Sequence, residues 1–323
     1  MLPGTPRHSG AFRQVTLVLA WLAISAASPA QATSPKSAPP VPDISGTAPD
    51  LVVPDLSTGP AAAGRRVKEV LAGYERTQVY HVTWLPTDWS TDRRHPVIVE
   101  LAGNGPYRNG LGDVSTGRPE GSKLGFGISG GRRFLWFCLP FLDGSGKRIT
   151  TRWWGSKPDH DPGPTLAYIK KAVPELCRKH GGDPSCVVLV GFSRGAIACN
   201  YIGLHDDEIS GLWSGFIPYS HYDGVFERWG YPGADRLSAR ARLKRLGNRP
   251  QFICHERGGN PAMSLDSTRE YLRKTGSQGR FTFQDTGFRN HNDAWTLRPS
   301  PARRALRDWL GRHTKGGLKP KDP

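Results

Sequence analysis

The 323-residue chain is poor in acid, methionine and cysteine: 28 Asp and Glu stand against 44 Lys and Arg, with 2 Met and 5 Cys. It holds no HExxH and no CxxC, and its 10 His are scattered, so no metal site is expected. A GxxxxGK phosphate loop is missing and no GxGxxG joins a strand to a helix, so no nucleotide or other cofactor is expected. Only one long apolar run exists, which excludes a multi-span membrane protein. What remains is ample: hydrophobic residues make up 37% and aromatics 10%, enough for a core and too much for a disordered chain. The formal net charge of +16 leaves three readings open: nucleic-acid binding, attraction to anionic surfaces, or a basic solvent shell.

Residues 1–32 read as a secretory signal: Arg7 and Arg13 precede an apolar stretch from Val15 to Ala27, and Ala30-Gln31-Ala32 fits a cleavage site. A secreted or periplasmic protein with no membrane span after cleavage follows. Residues 33–64, rich in Pro, Ala and Ser, read as a flexible linker, and residues 65–323 as one catalytic domain with a basic C-terminal tail. Export permits disulfides. Cys177 and Cys186 flank a turn, and either bridge it or stay buried as thiols; Cys138, Cys199 and Cys254 read as buried.

Strand-like runs fall at 78–85, 96–101, 133–139, 187–190, 215–218, 250–254 and 280–283. The first partly alternates, as an edge strand does, while the next three are continuous, as strands covered on both faces are. Helical patterns fall at 165–180, with Pro174 as a possible kink, and at 193–204, 237–246, 265–274 and 302–313. This alternation predicts an α/β fold with a mostly parallel central sheet and helices on both faces.

The stretch VVLVGFSRGAIACNYIG (187–203) contains G-x-S-x-G as Gly191-Phe192-Ser193-Arg194-Gly195, between a strand and a helix rich in small residues. That is the setting of a nucleophile elbow, in which a strained turn exposes the serine hydroxyl. A second match, Gly127 to Gly131, precedes a strand, so Ser129 reads as a loop residue. Over residues 78–313 the chain resembles the α/β-hydrolase superfamily, nearest to secreted esterases and polyester depolymerases. The resemblance implies a Ser nucleophile, then an acid, then a His along the chain.

The family pattern places the His before the final helix, where His291 stands in FRNHNDAW. The usual carboxylate after the seventh strand is replaced by HERGGNPAM, so the acid is left among Glu256, Asp223 and Asp266, with Asp293 or no acid as the remainder. The oxyanion donors implied are the backbone N–H of Arg194 and those of Asn104 and Gly105 in ELAGNGPY, which resembles the H-G-G-G-type loop with Ala102 in place of His. Trp153, Trp154 and Tyr222 are candidate substrate contacts.

The expected activity is a secreted serine hydrolase cleaving small or polymeric carboxylic esters through an acyl-enzyme. The alternatives are an impaired scaffold that binds carbohydrate or a surface, and a peptidase. Nucleic acid is not an expected partner. Residues 235–249 carry a net +5 and residues 298–323 a net +6. Both read as amphipathic helices, with Leu237, Leu243 and Leu246, or Ala302, Leu306, Trp309 and Leu310, inward and arginines in water.

Overall fold

The computed structural model describes residues 40–314. The expected leader and residues 33–39 lie outside the described residues, as does most of the basic tail. Among the described residues no helix is long and apolar enough to cross a membrane.

The strands are β1 (Arg66–Glu69), β2 (His81–Trp84), β3 (His95–Leu101), β4 (Tyr107–Arg108), β5 (Val114–Ser115), β6 (Leu135–Leu139), β7 (Gly182–Phe192), β8 (Gly215–Tyr219), β9 (Pro250–His255) and β10 (Arg280–Asp285). Eight of them form one sheet in the order β1-β2-β6-β3-β7-β8-β9-β10, while β4 and β5 form a separate hairpin. From β6 to β10 every neighbouring pair is parallel; β2 runs antiparallel to both β1 and β6. The run at 78–85 is therefore not an edge: β1 caps it, and all four β2 residues are buried.

The helices are α1 (Leu124–Ser129), α2 (Gly163–His180), α3 (Arg194–Tyr201), α4 (Asp207–Ser210), α5 (Arg236–Leu243), α6 (Leu265–Thr275) and α7 (Pro301–His313). Alternation along the buried strands divides the apolar side chains into two layers. Val97, Val99 and Leu101 pack with Ile169 and Val173 of α2 and Ile197 of α3. Ile98 and Trp136 pack with Phe126 of α1 and Leu306 and Trp309 of α7. α2 runs through Pro174 as one helix of 18 residues. Ser129, expected in a loop, is the last residue of α1.

Part of the expected linker is packed against the domain. Ile44 is buried in the layer with α7, its N–H donating to Asn290 Oδ1 at 2.8 Å. Asp50 pairs with Arg303 at 2.5 Å, and Arg298 donates to the Ile44 and Thr47 carbonyls. Buried apolar contact and arginine clamps hold a segment whose composition suggested a tether. The helix faces also differ from expectation: Leu237 is 81% exposed, whereas Ala239, Leu243 and Leu246 turn inward and Arg303 is buried.

Cys177 and Cys186 are not bridged; all five cysteines are buried free thiols. Cys177 packs in the layer under α2, and the turn between them is held instead by pairing, with His95 N–H on the Gly181 carbonyl at 2.9 Å. Burial pushes the Cys177 thiol up to about 12 and Cys186 to about 11, with the charge of Asp183 adding to both. Titration of the native protein with a thiol reagent such as DTNB is expected to modify none of the five rapidly, and all five after unfolding in guanidinium.

Candidate active site

β7 ends at Phe192 and α3 starts at Arg194, so the chain must reverse within Ser193. It does so at φ 53°, ψ −110°, a strained conformation for a residue with a Cβ. The flanking glycines follow from lack of space. A Cβ on Gly191 would lie 2.2 Å from the Gly195 backbone, and one on Gly195 would lie 1.9 Å from the Leu101 oxygen. Ser193 N–H donates to the Tyr219 carbonyl at 2.9 Å, which pins the turn to β8.

His291 follows β10, and its Nε2 lies 3.2 Å from Ser193 Oγ. On its other side Nδ1 is 2.8 Å from Glu256 Oε1, directly after β9. Ser220, the residue after β8, places its Oγ 2.8 Å from the same Nδ1 and donates to Glu256 Oε1 at 3.0 Å. These groups therefore stand at the carboxyl ends of four adjacent parallel strands, where sites of open α/β sheets form.

The loop carrying His291 is fastened from below. Buried Asp113, beside β5, accepts from His291 N–H at 3.0 Å and from the side chains of Asn290 at 3.0 Å and Asn292 at 3.2 Å. Tyr219 donates to the Asn290 carbonyl at 3.0 Å. Burial opposes a charge on Glu256, but the hydrogen bond and charge of His291, with the imidazoles of His255 and His221 nearby, bring its carboxyl down to about 2.

Comparison of the sequence with known protein families and with curated proteins finds no match. Solved structures do match. The S-formylglutathione hydrolase of Agrobacterium tumefaciens, 14% identical, aligns over 80% of this chain and 98% of its own with a TM-score of 0.55. A truncated carbohydrate esterase from gut microbiota, 11% identical, aligns over 80% of this chain and 100% of its own, with a TM-score of 0.52. A thermostable esterase aligns over 72% of this chain at 17% identity and TM-score 0.44, and the chain spans 59% of that protein's length. The chain has the α/β-hydrolase fold.

Within that fold none of the other candidate acids meets the His291 ring. Asp223 is buried in a two-pronged ion pair with Arg242, at 2.9 and 3.0 Å. The Asp266 side chain is 92% exposed in the first turn of α6. Asp293 accepts from the Lys123 ammonium at 3.0 Å and from its N–H at 3.1 Å.

The loop after β3 corrects one expected oxyanion donor. Gly105 N–H is committed to the Thr151 carbonyl at 2.8 Å. The N–H groups of Gly103, Asn104 and Arg194 have no acceptor among the described residues. Arg194 shapes this loop through its side chain, which is fully buried and has no carboxylate partner among the described residues. Its guanidinium donates to the carbonyls of Gly103 at 3.0 Å, Gly117 at 3.1 Å and Trp153 at 2.6 Å. Burial lowers this arginine to about 9.

The aromatic candidates separate. Trp154 is buried and stacked on Tyr201 at 4.4 Å, and Tyr222 is buried with its hydroxyl on Gln251, so neither is free to meet a substrate. Trp153 is half-buried at φ 50°, held by Asn104 Oδ1 on its N–H and Arg194 on its carbonyl. A cavity of about 660 Å³ opens beside His291 and Glu256, walled by Tyr107, Leu111, His221, Asn260 and Met263. An equally large hollow between α5 and α6 includes none of Ser193, Ser220, Glu256 and His291. Among the described residues no cluster of His, Cys, Asp or Glu is placed to hold a metal ion.

Sequence reading missed Ser220 and Asp113, since each meets His291 only in space. One signal existed for the loop: an Asn on each side of His291 supplies amides for a buried carboxylate.

Two outcomes are expected. Arg194→Met strands several buried carbonyls and should cost about 3 kcal/mol or more, read by urea unfolding. Glu256 ionises below its unfolded value of 4.5, so its contribution to stability is present above pH 4.5 and lost as pH falls toward 2. The stability gap between wild type and Glu256→Gln should therefore shrink over that interval in denaturation curves.

Proposed function

We propose that the protein is a serine hydrolase that cleaves carboxylic esters, small or polymeric, through an acyl-enzyme. The observation that carries the reading is the hydrogen-bonded line from Ser193 Oγ through His291 to Glu256, set on the strained turn of an α/β-hydrolase fold. Ser193 Oγ attacks the ester carbonyl while its proton passes to His291 Nε2. Glu256 stays ionised on Nδ1 and stabilises the imidazolium. The negative oxygen of the tetrahedral species meets the free amides of Arg194 and of Gly103 or Asn104, a contribution of about 3 kcal/mol each in comparable sites. His291 then returns the proton to the leaving alkoxide, so the alcohol departs. Water repeats the sequence to release the acid.

An impaired binding scaffold would lack a carboxylate behind the histidine; the 2.8 Å contact of Glu256 Oε1 with His291 Nδ1 supports the hydrolase reading instead. The proposal includes export, supported by the signal-like pattern of residues 1–32. The test is a panel of p-nitrophenyl esters of increasing acyl length. Wild type is expected to turn over at least the short esters and to react with a fluorophosphonate at Ser193. Ser193→Ala should lose both, with a rate loss of roughly 10⁴-fold or more. Hydrolysis undiminished in Ser193→Ala would refute the proposal.

A further inference from the structure

Ser220 has no exposed surface and sits at φ 88°, in the left-handed region that glycine occupies at least cost. A serine there carries backbone strain of about 1 kcal/mol or more, and what it has over glycine is its hydroxymethyl group. The hydroxyl completes a closed triangle: 2.8 Å to His291 Nδ1, 3.0 Å to Glu256 Oε1, with those two atoms 2.8 Å apart. Glu256 has few other partners. Its Oε2 is buried and accepts no hydrogen bond among the described residues. The Glu256 carboxylate, with its side chain 8% exposed, therefore takes its hydrogen bonds from the His291 imidazole and the Ser220 hydroxyl, while His255 Nδ1 stands 3.6 Å from Oε2.

We propose that Ser220 is a positioning residue of the hydrolytic site: its hydroxyl fixes the Glu256 carboxylate against His291 and so keeps Nε2 aimed at Ser193. The inference rests on the serine-hydrolase reading. With the Ser220 O–H donated to Oε1, its lone pair faces the His291 Nδ1–H, which favours the tautomer that leaves Nε2 free as the base. When Ser193 attacks, the proton it loses goes to Nε2. The Nδ1–H and the Ser220 O–H both stay in place, so Ser220 neither gains nor loses a proton over the cycle. Its place in the chain is informative: it directly follows β8, as Ser193 directly follows the neighbouring β7, and both serines hold positive φ. Two neighbouring strand ends thus carry strained hydroxyls, one facing the scissile bond and one facing the acid.

The test compares Ser220→Ala and Ser220→Gly, alone and combined with Glu256→Gln, in the full chain. Three quantities are read: the second-order rate of Ser193 phosphonylation by a fluorophosphonate, kcat and KM on p-nitrophenyl acetate, and the melting temperature. Both single variants are expected to lower the phosphonylation rate and kcat by roughly tenfold, the equivalent of one hydrogen bond to a charged group, with KM changed less than about twofold. Ser220→Gly should melt above Ser220→Ala, because glycine accepts the backbone angle, and yet be equally slow. In the Glu256→Gln background Ser220→Ala should have little further effect. Full rates in Ser220→Gly, rates that follow melting temperature, or an undiminished effect of Ser220→Ala beside Glu256→Gln would each overturn the proposal. A wild type that labels at Ser193 but hydrolyses no ester refutes only the ester reading, and the labelling rates still decide the role of Ser220. A wild type that does not label overturns both.

Discussion

The turn at Ser193 is the constraint on which the site depends. A strand and a helix meet there with no spare residue, so the backbone is driven to φ 53° and the side chain projects from the end of the sheet. The conformation survives because its surroundings leave no room to relax: α3 abuts β3 so closely that Gly195 touches the Leu101 oxygen. The next residue inherits a fixed direction. Arg194 buries its guanidinium among carbonyls of the loop after β3 and the loop after β6, so the segment with free amides is set by the same turn that sets the hydroxyl. The remaining groups arrive on neighbouring strand ends, Ser220 from β8, Glu256 from β9 and His291 from beyond β10.

What the sequence made legible is what short-range pattern controls. The continuous strands around 96–101 and 187–190 were readable because side chains buried on both faces leave an unbroken apolar run. Ser193 was readable because strand, glycine spacing and small-residue helix occur together within 17 residues. His291 could be placed by order along the chain. The acid could not be singled out, since a carboxylate's partner is fixed only when distant strands align: Asp223 meets Arg242 and Glu256 meets His291, with no local mark to distinguish them. Asp113 is 178 residues from His291 in the chain and was invisible for the same reason. Trp154 and Tyr222 were misplaced because aromatic composition cannot tell a stacked core ring from an exposed one.

The positive charge also takes on a more specific meaning. Much of it is arginine used as a fastener for backbone carbonyls rather than as a solvent shell. Arg298 holds the segment around Ile44, Arg307 donates to the Ile128 carbonyl of α1, and Arg249 reaches the Trp213 carbonyl ahead of β8. A planar guanidinium spreads five donors over three nitrogens in a fixed fork, so it reaches several carbonyls at once, where lysine has three donors on one nitrogen. Such arginines tie loops to the sheet, and Arg194 is the case in which this fastening reaches the turn at Ser193.

The central claim is that Ser193 becomes covalently acylated. The direct measurement is acid-quenched mass spectrometry during turnover of a p-nitrophenyl ester, followed by peptide mapping. The account predicts an adduct of the acyl mass on the peptide containing Ser193, absent in Ser193→Ala. Turnover with the acyl group on Ser129, Ser220 or another residue would contradict it.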